Sequence, residues 1–434
     1  MPPRDRHHCI GVLDHLGGGN LGDDTTQTAV MQNIRSRWPD AVIYGFSMNP
    51  ADTEARHGIA AFPIRRMIWA DPEHVEQNKA PDGDPPESTR IGRRLAKHAR
   101  RVARFVRNKP RVVAGEVAFL ADSLRVMRRL DVFVISGGGQ LLDSWGGPWA
   151  YPYTLYKWAL LAKLAGTKCL FLNVGAGPLK QKLSKFFVRR ALRLADYVSF
   201  RDDESRSLVR TIGFRGAADV FPDCVYGLDV APWRPAAKTT NEQVVGLSPM
   251  AYCDPRRYWR QDQSVYDAFV GKFARFGAWL ARDHRLAIFS TDIWFDSQTL
   301  DRLENELQNP VSGDAARHVT RPAVDSLETL LAAMASVDFI ITCRFHGVIF
   351  AHLMNVPVIA LSHHPKVHTL MADLGLSEYC LDIESFDEAQ LAETFTRLVE
   401  NAAGIKTRMR NKAAEYQAAL TTQFDRLFPA EVVA

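Results

Sequence analysis

Hydrophobic residues along the chain form short continuous runs that alternate with segments in which they recur every three or four positions. Short β-branched runs such as Phe339–Thr342 are typical of strands buried on both faces of a parallel sheet, and the periodic segments indicate amphipathic helices. Strand, helix and strand follow one another within residues 338–361, which predicts one βαβ unit. The same pattern predicts further strands at 9–14, 41–46, 131–135, 169–174, 197–200, 217–221, 244–247 and 286–290.

The predicted elements divide into two series. A length of 434 residues is too great for one core, so we expect two domains of roughly 200 residues each. Two prolines between apolar runs mark residues 231–241 as the linker candidate. The expected divisions are a first domain at 1–232 with a basic helical insertion at about 89–130, a linker at 233–242, a second domain at 243–385 and a helical tail at 386–434 with a break at Gly404.

Composition excludes several classes of protein. Apolar content of 46% and charged content of 24% are ordinary for a soluble globular protein. The six cysteines are scattered singly without a C-x-x-C pair, which favours reduced thiols in the cytoplasm and argues against a structural zinc site. The longest apolar helix candidate, Trp158–Ala165, is interrupted by Lys163, so we expect no membrane span.

Ten lysines and arginines lie between residues 90 and 111 with no acid among them, and Ile91, Leu95 and Phe105 contribute to a partial apolar stripe. A basic amphipathic helix of this kind suits an anionic membrane surface or a polyanion. The alternative is a solvated helix with one face packed on its domain. We expect peripheral contact with the inner face of a membrane, and no nucleic-acid partner.

The proline-rich, acidic loop at 71–88 contains Asp82-Gly-Asp84, which matches the D-x-D pattern of metal-dependent glycosyltransferases. Pro81 and Pro85 flank it and no strand precedes it, so a solvated turn is the better interpretation. The sequence has no H-E-x-x-H motif, EF-hand loop or cysteine cluster either. We therefore expect no metal site.

Several predicted strands end in glycines or in a charged residue, as at Gly137–Gly139, Arg201 and Arg344 with His346. Ligands collect at the carboxyl ends of parallel strands, and helix amino ends attract anions. Tight turns could equally explain the glycines, a loop cap could explain Arg344 and His346, and a surface ion pair with Asp202 or Glu204 could explain Arg201. The aromatic segment with Trp145 and Trp149 could stack on a sugar or pack a helix start.

Seven motifs then occur in a fixed order: Gly17-Gly-Gly-Asn20-x-Gly22-Asp23, Gly137-Gly-Gly-x-Leu141, Val174-Gly-x-Gly177-Pro178, Ser199-Phe-Arg201-Asp-x-Glu204-Ser205, Asp219–Asp223, Arg344-Phe-His346-Gly347 and His364-Pro-Lys366. In this order they resemble the polysaccharide pyruvyl transferase family over residues 9–376. The resemblance implies an α/β fold of two Rossmann-like domains facing across a cleft, similar to GT-B glycosyltransferases. It also implies phosphoenolpyruvate as donor, a pyruvate ketal on a glycan or lipid-linked saccharide as product, and no cofactor.

The resemblance also implies residue roles. His346 would be the acid that protonates the donor methylene, with Asp23 as a second catalytic residue. The acceptor base stays open among Asp23, Asp24 and Asp223. Donor contacts would come from Arg201, Arg344, Lys366, Gly137, Gly138 and Gly139, and acceptor contacts from Asn20, Asp24, Trp145, Trp149 and Asp223.

Two competing hypotheses share this architecture. A GT-B-like glycosyltransferase would use the same cleft and the same recognition of phosphate at helix ends, but with a nucleotide sugar as donor. A catalytically inactive relative would bind a glycan without turnover.

Overall fold

A computed structural model describes residues 7–14, 19–66, 114–144, 146–233, 242–258, 260–308 and 319–430. The acidic loop at 71–88, the basic block at 90–111 and Trp145 lie outside the described residues, as do Gly17 and Gly18.

The sheet of the first domain consists of β1 (Cys9–Leu13), β2 (Val42–Ser47), β3 (Ala61–Pro63), β4 (Val132–Ser136), β5 (Lys168–Val174), β6 (Tyr197–Phe200) and β7 (Asp219–Val220). The strands are parallel and their spatial order is β3-β2-β1-β4-β5-β6-β7. All five residues of β4 are buried, which accounts for its continuous apolar run. The order reverses between β1 and β4, and such a switch point is where ligands bind in doubly wound sheets.

The second sheet consists of β8 (Val244–Ser248), β9 (Arg285–Ile288), β10 (Val319–Thr320), β11 (Phe339–Thr342), β12 (Val358–Ser362) and β13 (Cys380–Asp382). It is also parallel, in the order β10-β9-β8-β11-β12-β13. β11 is fully buried at the centre, between β8 and β12. The predicted α/β architecture with two parallel sheets is therefore confirmed.

The helices are α1 (Leu21–Arg35), α2 (Pro50–His57), α3 (114–127), α4 (Tyr151–Ala165), α5 (Lys182–Leu194), α6 (Asp203–Thr211), α7 (Gln263–Leu280), α8 (Ser297–Gln308), α9 (Leu327–Ser336), α10 (Phe345–Leu353), α11 (Pro365–Asp373), α12 (Glu388–Glu400) and α13 (Ala402–Leu427). None of those whose residues are described is long and apolar enough to cross a bilayer.

A side chain from the turn after β1 caps α1. The cap is Asn20, whose side chain accepts the Gly22 N–H at 3.0 Å. Asp23 and Asp24 lie one turn further on, where the partial positive charge of the helix amino end favours them.

The carboxyl-terminal tail joins the two domains. In α12, the Phe395 ring packs against Phe339 of β11, so this helix belongs to the second domain. The predicted break at Gly404 is wrong, because the helices separate at Asn401 and Gly404 lies inside α13. α13 then returns to the first domain, where Phe424 and Phe428 enter the core beneath β1 and β4.

The carboxyl ends of the two sheets face each other. The Leu21 N–H at the start of α1 donates to the Thr291 carbonyl at 2.9 Å, and the Ile293 N–H donates to the Gly19 carbonyl at 3.1 Å. Gly19 and Leu21 follow β1, whereas Thr291 and Ile293 follow β9, so the strand-end segments of both domains meet at one cleft.

Candidate active site

Arg201 follows β6 at the floor of the cleft, and its side chain is only 6% exposed. Its Nη1 lies 3.2 Å from Asp223 Oδ2, and its Nε lies 3.5 Å from Asp202 Oδ2 without forming a hydrogen bond. A Cβ on Gly175 would approach the Arg201 guanidinium to 2.7 Å. The glycine after β5 is therefore required where the backbone passes the guanidinium, which gives the Gly175-x-Gly177 motif a physical role.

The Phe345 ring, at the start of α10, lies beneath two cations. The guanidinium carbon of Arg201 is 4.5 Å from the ring centroid, and Nζ of Lys366 in the first turn of α11 is 5.3 Å from it. Such cation–π contacts compensate part of the cost of burying charge. One cation comes from the first domain and the other from the second, so the domains together form the cationic site.

Lys366 has no carboxylate within ion-pair distance in the part of the chain that the structure describes. Burial, followed by repulsion from Arg201, lowers the pKa of its ammonium group to about 8. An ammonium held beside a guanidinium with incomplete compensation favours binding of an anion with more than one negative charge.

His346 lies beside these cations, in the first turn of α10. A Cβ on Gly22 would overlap the imidazole ring, so the glycine in the first turn of α1 makes room for it. Burial lowers the pKa of His346, as do Arg201 and Lys366, whereas Asp223 and Asp23 oppose the shift. The imidazole is therefore neutral at neutral pH, and its Nε2 is buried without a hydrogen-bond partner among the described residues.

Arg344 differs from the expectation of an open donor clamp. Its Nε donates to Asp296 Oδ2 at 2.8 Å, its Nη2 donates to Asp296 Oδ1, and its Nη1 lies 3.4 Å from Asp292 Oδ2. Burial opposes its charge, but these two carboxylates raise its pKa above the ordinary value. Asp296 is fully buried and also accepts from the Ser290 hydroxyl and the Ala251 N–H. The guanidinium fork is thus occupied within the second domain.

The candidate carboxylates occupy different surroundings. Asp23 has no hydrogen bond or ion pair among the described residues, and it acts electrostatically on both His346 and Lys366. Asp223 accepts from Arg201 and from the Val225 N–H. Asp24 is buried beside Arg56 at 3.6 Å, and burial raises its pKa to about 7. Of these three candidates, Asp23 is therefore the carboxylate that is free of a partner among the described residues and still acts on the imidazole.

Gly137, Gly138 and Gly139 form the turn after β4. Gly137 and Gly138 have φ angles of 42° and 59°, which favour glycine, and a Cβ on Gly137 would overlap Thr26 of α1. The Gly138 carbonyl accepts the Gly175 N–H at 2.8 Å. The turn thus connects the strand ends that carry α1 and Gly175.

Of the remaining acceptor candidates, the structure describes Asn20 and Trp149, and neither is brought to the cations. Asn20 is engaged as the cap of α1 and bridges to Asp292 through its backbone. The Trp149 ring is 65% exposed and packs on Tyr153 and Phe187, at centroid distances of 5.4 and 5.6 Å. Among the described residues, its ring contacts are with α4 and α5, and none is with Arg201, Lys366 or His346.

A cavity of about 440 Å³ opens from the cations toward the tail helix. Arg201, Asp223 and Lys366 line one end, and Lys412 and Tyr416 of α13 line another part. Its volume falls within the range of small-molecule sites. The cleft therefore offers space for a ligand larger than the anion that Arg201 and Lys366 alone would hold.

A comparison with protein families decides the wider identity. The family model described as polysaccharide pyruvyl transferase matches residues 20–365. The chain belongs to the polysaccharide pyruvyl transferase family. The matched segment includes Asp23, Arg201, Arg344 and His346, whereas Lys366 and the tail lie just beyond it.

This pyruvyl transferase family member is similar to solved structures with the GT-B arrangement of two domains. A glycosyltransferase from Rickettsia africae is 11% identical, with 98% of each chain covered and a TM-score of 0.54. A UDP-GlcNAc 2-epimerase from Neisseria meningitidis, bound to UDP-GlcNAc, is 10% identical, with 96% of this chain and 98% of that chain covered and a TM-score of 0.55. At such identities the likeness extends to the fold alone.

Sequence reasoning missed Phe345 and the residues of α13. Phe345 stands between Arg344 and His346, but an apolar residue at a helix start gives no sign that two cations lie over it. Lys412 and Tyr416 share the four-residue spacing of one helix face, which was the available signal. Both residues lie in the tail, beyond the segment that resembles the family. Their place in the cavity lining appears only because α13 returns to the cleft.

Proposed function

We propose that this protein transfers a pyruvyl group from phosphoenolpyruvate to two hydroxyls of one sugar and forms a cyclic ketal. The observation that carries the proposal is the pair of cations, Arg201 and Lys366, which share the Phe345 ring beside the neutral His346 with a free Nε2. Phosphoenolpyruvate carries a phosphate and a carboxylate on the same carbon atom, so two fixed cations match its charge.

The first chemical step requires a proton on the methylene carbon of the donor. His346 is neutral in the empty site, but an anionic donor beside it stabilises the imidazolium and raises its pKa. Donor binding therefore couples to proton uptake at His346. The imidazolium then gives its proton to the methylene carbon, and a cationic centre forms at the carbon that bears the phosphate.

Two hydroxyl additions complete the transfer. The first hydroxyl of the sugar attacks the cationic carbon and loses its proton to a carboxylate, after which inorganic phosphate departs with its C–O bond electrons. The departing phosphate takes up the proton held by the carboxylate, and the second hydroxyl attacks the same carbon, gives its proton to the now neutral His346 imidazole and closes the ketal. We assign the role of general base to Asp23. Its carboxylate has no partner among the described residues, and its charge acts on the His346 imidazole.

We assign Arg344 a positioning role. Its ion pair with Asp296 fixes the start of α10, which carries Phe345 and His346. The cavity beside α13 would receive the acceptor, a glycan or lipid-linked saccharide, with hydroxyl contacts from its acidic side chains.

We propose that the reaction proceeds without a metal, since Arg201 and Lys366 supply the positive charge that a divalent ion would otherwise give. In the part of the chain that the structure describes, no three or more His, Cys, Asp or Glu side chains are grouped so as to hold a metal ion.

The test is an assay of phosphate release from phosphoenolpyruvate with a panel of lipid-linked and polysaccharide acceptors, followed by mass spectrometry of the acceptor. We expect acceptor-dependent release with ketal formation, undiminished by EDTA. Nucleotide release from a nucleotide sugar would favour the glycosyltransferase hypothesis, and acceptor binding without turnover would favour an inactive relative. Loss of activity on chelation, restored by Mg²⁺ or Mn²⁺, would refute the metal-independent route.

A further inference from the structure

A long segment of the first domain carries charge of one sign. Residues 144–195 contain no Asp or Glu, and they contain nine cationic side chains: Lys157, Lys163, Lys168, Lys180, Lys182, Lys185, Arg189, Arg190 and Arg193. The whole chain has a formal net charge of only +5, so these residues exceed the net positive charge of the molecule. The segment forms the turn Gly147–Trp149, α4, β5 and α5.

The same segment exposes apolar side chains to solvent. Four of the seven exposed large hydrophobic residues among those described are here, namely Trp149, Leu164, Leu183 and Phe186. Trp149, Tyr153 and Tyr156 each pack within 5.6 Å of the Phe187 ring, and Tyr156 also contacts Phe186. The half-buried Tyr153 and Tyr156 and the buried Phe187 thus connect the exposed rings of Trp149 and Phe186 across α4 and α5. We call this surface the basic aromatic face, and it comprises the exposed residues of Gly147–Trp149, α4 and α5.

α5 shows how the surface is built. Phe187, Val188 and Ala191 are buried against the first domain. Leu183, Phe186, Arg190 and Arg193 recur at three- and four-residue spacing on the opposite, exposed side. The guanidinium carbon of Arg190 lies 6.0 Å from the Phe186 ring centroid, so cations and apolar groups are interleaved.

Cations and exposed apolar groups occur together on this face, so its partner must bind both. A nucleic acid or another polyanion would require the cations but would leave Leu183, Phe186 and Trp149 in water. An anionic bilayer accepts both, since apolar side chains enter the headgroup boundary, Trp and Tyr prefer the interface, and Lys and Arg contact anionic lipid. We propose that the basic aromatic face docks on an anionic lipid bilayer.

The topology places this face beside the cleft. Helices of a parallel sheet begin at the carboxyl ends of its strands, and α4 and α5 follow β4 and β5. Trp149 precedes α4 and Leu183 lies in the first turn of α5, at the same edge as Gly137 and Gly175, and Phe186 follows in the next turn. Docking would thus hold the rim of the cleft near the lipid surface, where a lipid-linked acceptor would be delivered.

The proposal is independent of the proposed reaction, and its test measures binding alone. The intact protein is sedimented with vesicles of phosphatidylcholine containing phosphatidylglycerol, and with pure phosphatidylcholine vesicles. We expect binding only to the anionic vesicles, weakened by added salt. The variant Lys182→Gln/Lys185→Gln/Arg190→Gln should lose affinity on the order of a hundredfold, since each cation contributes about fivefold. Leu183→Ser/Phe186→Ser should also weaken binding at unchanged charge.

The matched control is Lys406→Gln/Arg408→Gln/Arg410→Gln on α13, which removes three cations outside the face. It should bind vesicles like the unmodified protein, and thermal melting should verify that all variants fold. An equal loss of vesicle affinity in the control would show that binding depends on net charge and not on the basic aromatic face, which would overturn the proposal. Unchanged binding in both variants of the face, with loss only on neutralising residues 90–111, would overturn the proposal. The proposal would also be overturned if duplex DNA displaced the protein from the vesicles and Leu183→Ser/Phe186→Ser left vesicle binding unchanged.

Discussion

Arg201 and Arg344 each follow a buried strand at the same cleft, yet their surroundings differ. The Arg344 fork is filled by Asp296, which is fully buried in the same domain. Arg201 has looser contacts with Asp223 and Asp202, retains an unpartnered Nε, and shares the Phe345 ring with Lys366. A strand-end arginine is available to a ligand only as far as neighbouring carboxylates leave its fork open. His346 follows Arg344 by two residues in sequence, but in space it belongs with Arg201.

The largest expected effect tests whether His346 acts on the donor beside Arg201. His346→Ala should lower kcat by about 10²–10⁴-fold, the usual contribution of a general acid, while donor affinity changes by less than about 1 kcal/mol. His346→Asn should be similarly slow, because an amide cannot deliver a proton at neutral pH. Calorimetry in two buffers of different ionisation enthalpy should detect more proton uptake on donor binding by the unmodified enzyme than by His346→Ala, in which Lys366 alone contributes. A stable His346→Ala protein with near-native kcat would end the assignment.

Removing Arg344 should mainly affect stability. Arg344→Ala leaves the Asp296 carboxylate buried without its counter-ion, so the free energy of unfolding should fall by about 3–5 kcal/mol. Urea denaturation measures this loss, and Arg344→Ala/Asp296→Ala should recover part of it. A loss below about 1 kcal/mol with a large rise in donor KM would instead return Arg344 to the role of donor clamp.

Removing Arg201 should mainly affect the donor. Arg201→Ala should lower kcat/KM for phosphoenolpyruvate by about 10²-fold, and Arg201→Lys should raise the donor KM by about tenfold because the planar fork is lost. Its unfolding free energy should fall by less than that of Arg344→Ala. Equal donor kinetics in the unmodified enzyme and Arg201→Ala would place the anion site elsewhere.

The smallest effect concerns pH. Lys366 binds the donor as an ammonium group, and burial lowers its pKa to about 8 in the free enzyme. The protonated form prevails below that pH, so kcat/KM for the donor should fall as pH rises through about 8, by about tenfold once the charge is lost. Lys366→Arg keeps its charge at higher pH and should shift this decline upward. If kcat/KM of Lys366→Arg declined at the same pH as that of the unmodified enzyme, the titrating group would be one other than Lys366.

The strands were predictable because each central strand is buried on both faces, and its sequence is a continuous apolar run. The glycines near Arg201 and His346 were predictable as motifs, although their reason appears only in space: Gly175 and Gly22 leave room for side chains from distant segments. The Arg344–Asp296 pair could not be inferred, since its members are separated by 48 residues and no local rule joins them. The helix boundary at Asn401 was missed because a single glycine is a weak helix breaker, costing about 1 kcal/mol.

The return of α13 has a consequence for how the chain folds during synthesis. Phe424, Leu427 and Phe428 cover Ile10, Val12 and their neighbours, so the first domain to leave the ribosome lacks part of its core until the last helix emerges. The first domain can therefore complete its core only after α13 has been synthesised. A chain ending at residue 401 should accumulate as insoluble protein, and a soluble, monomeric product of that length would contradict this dependence.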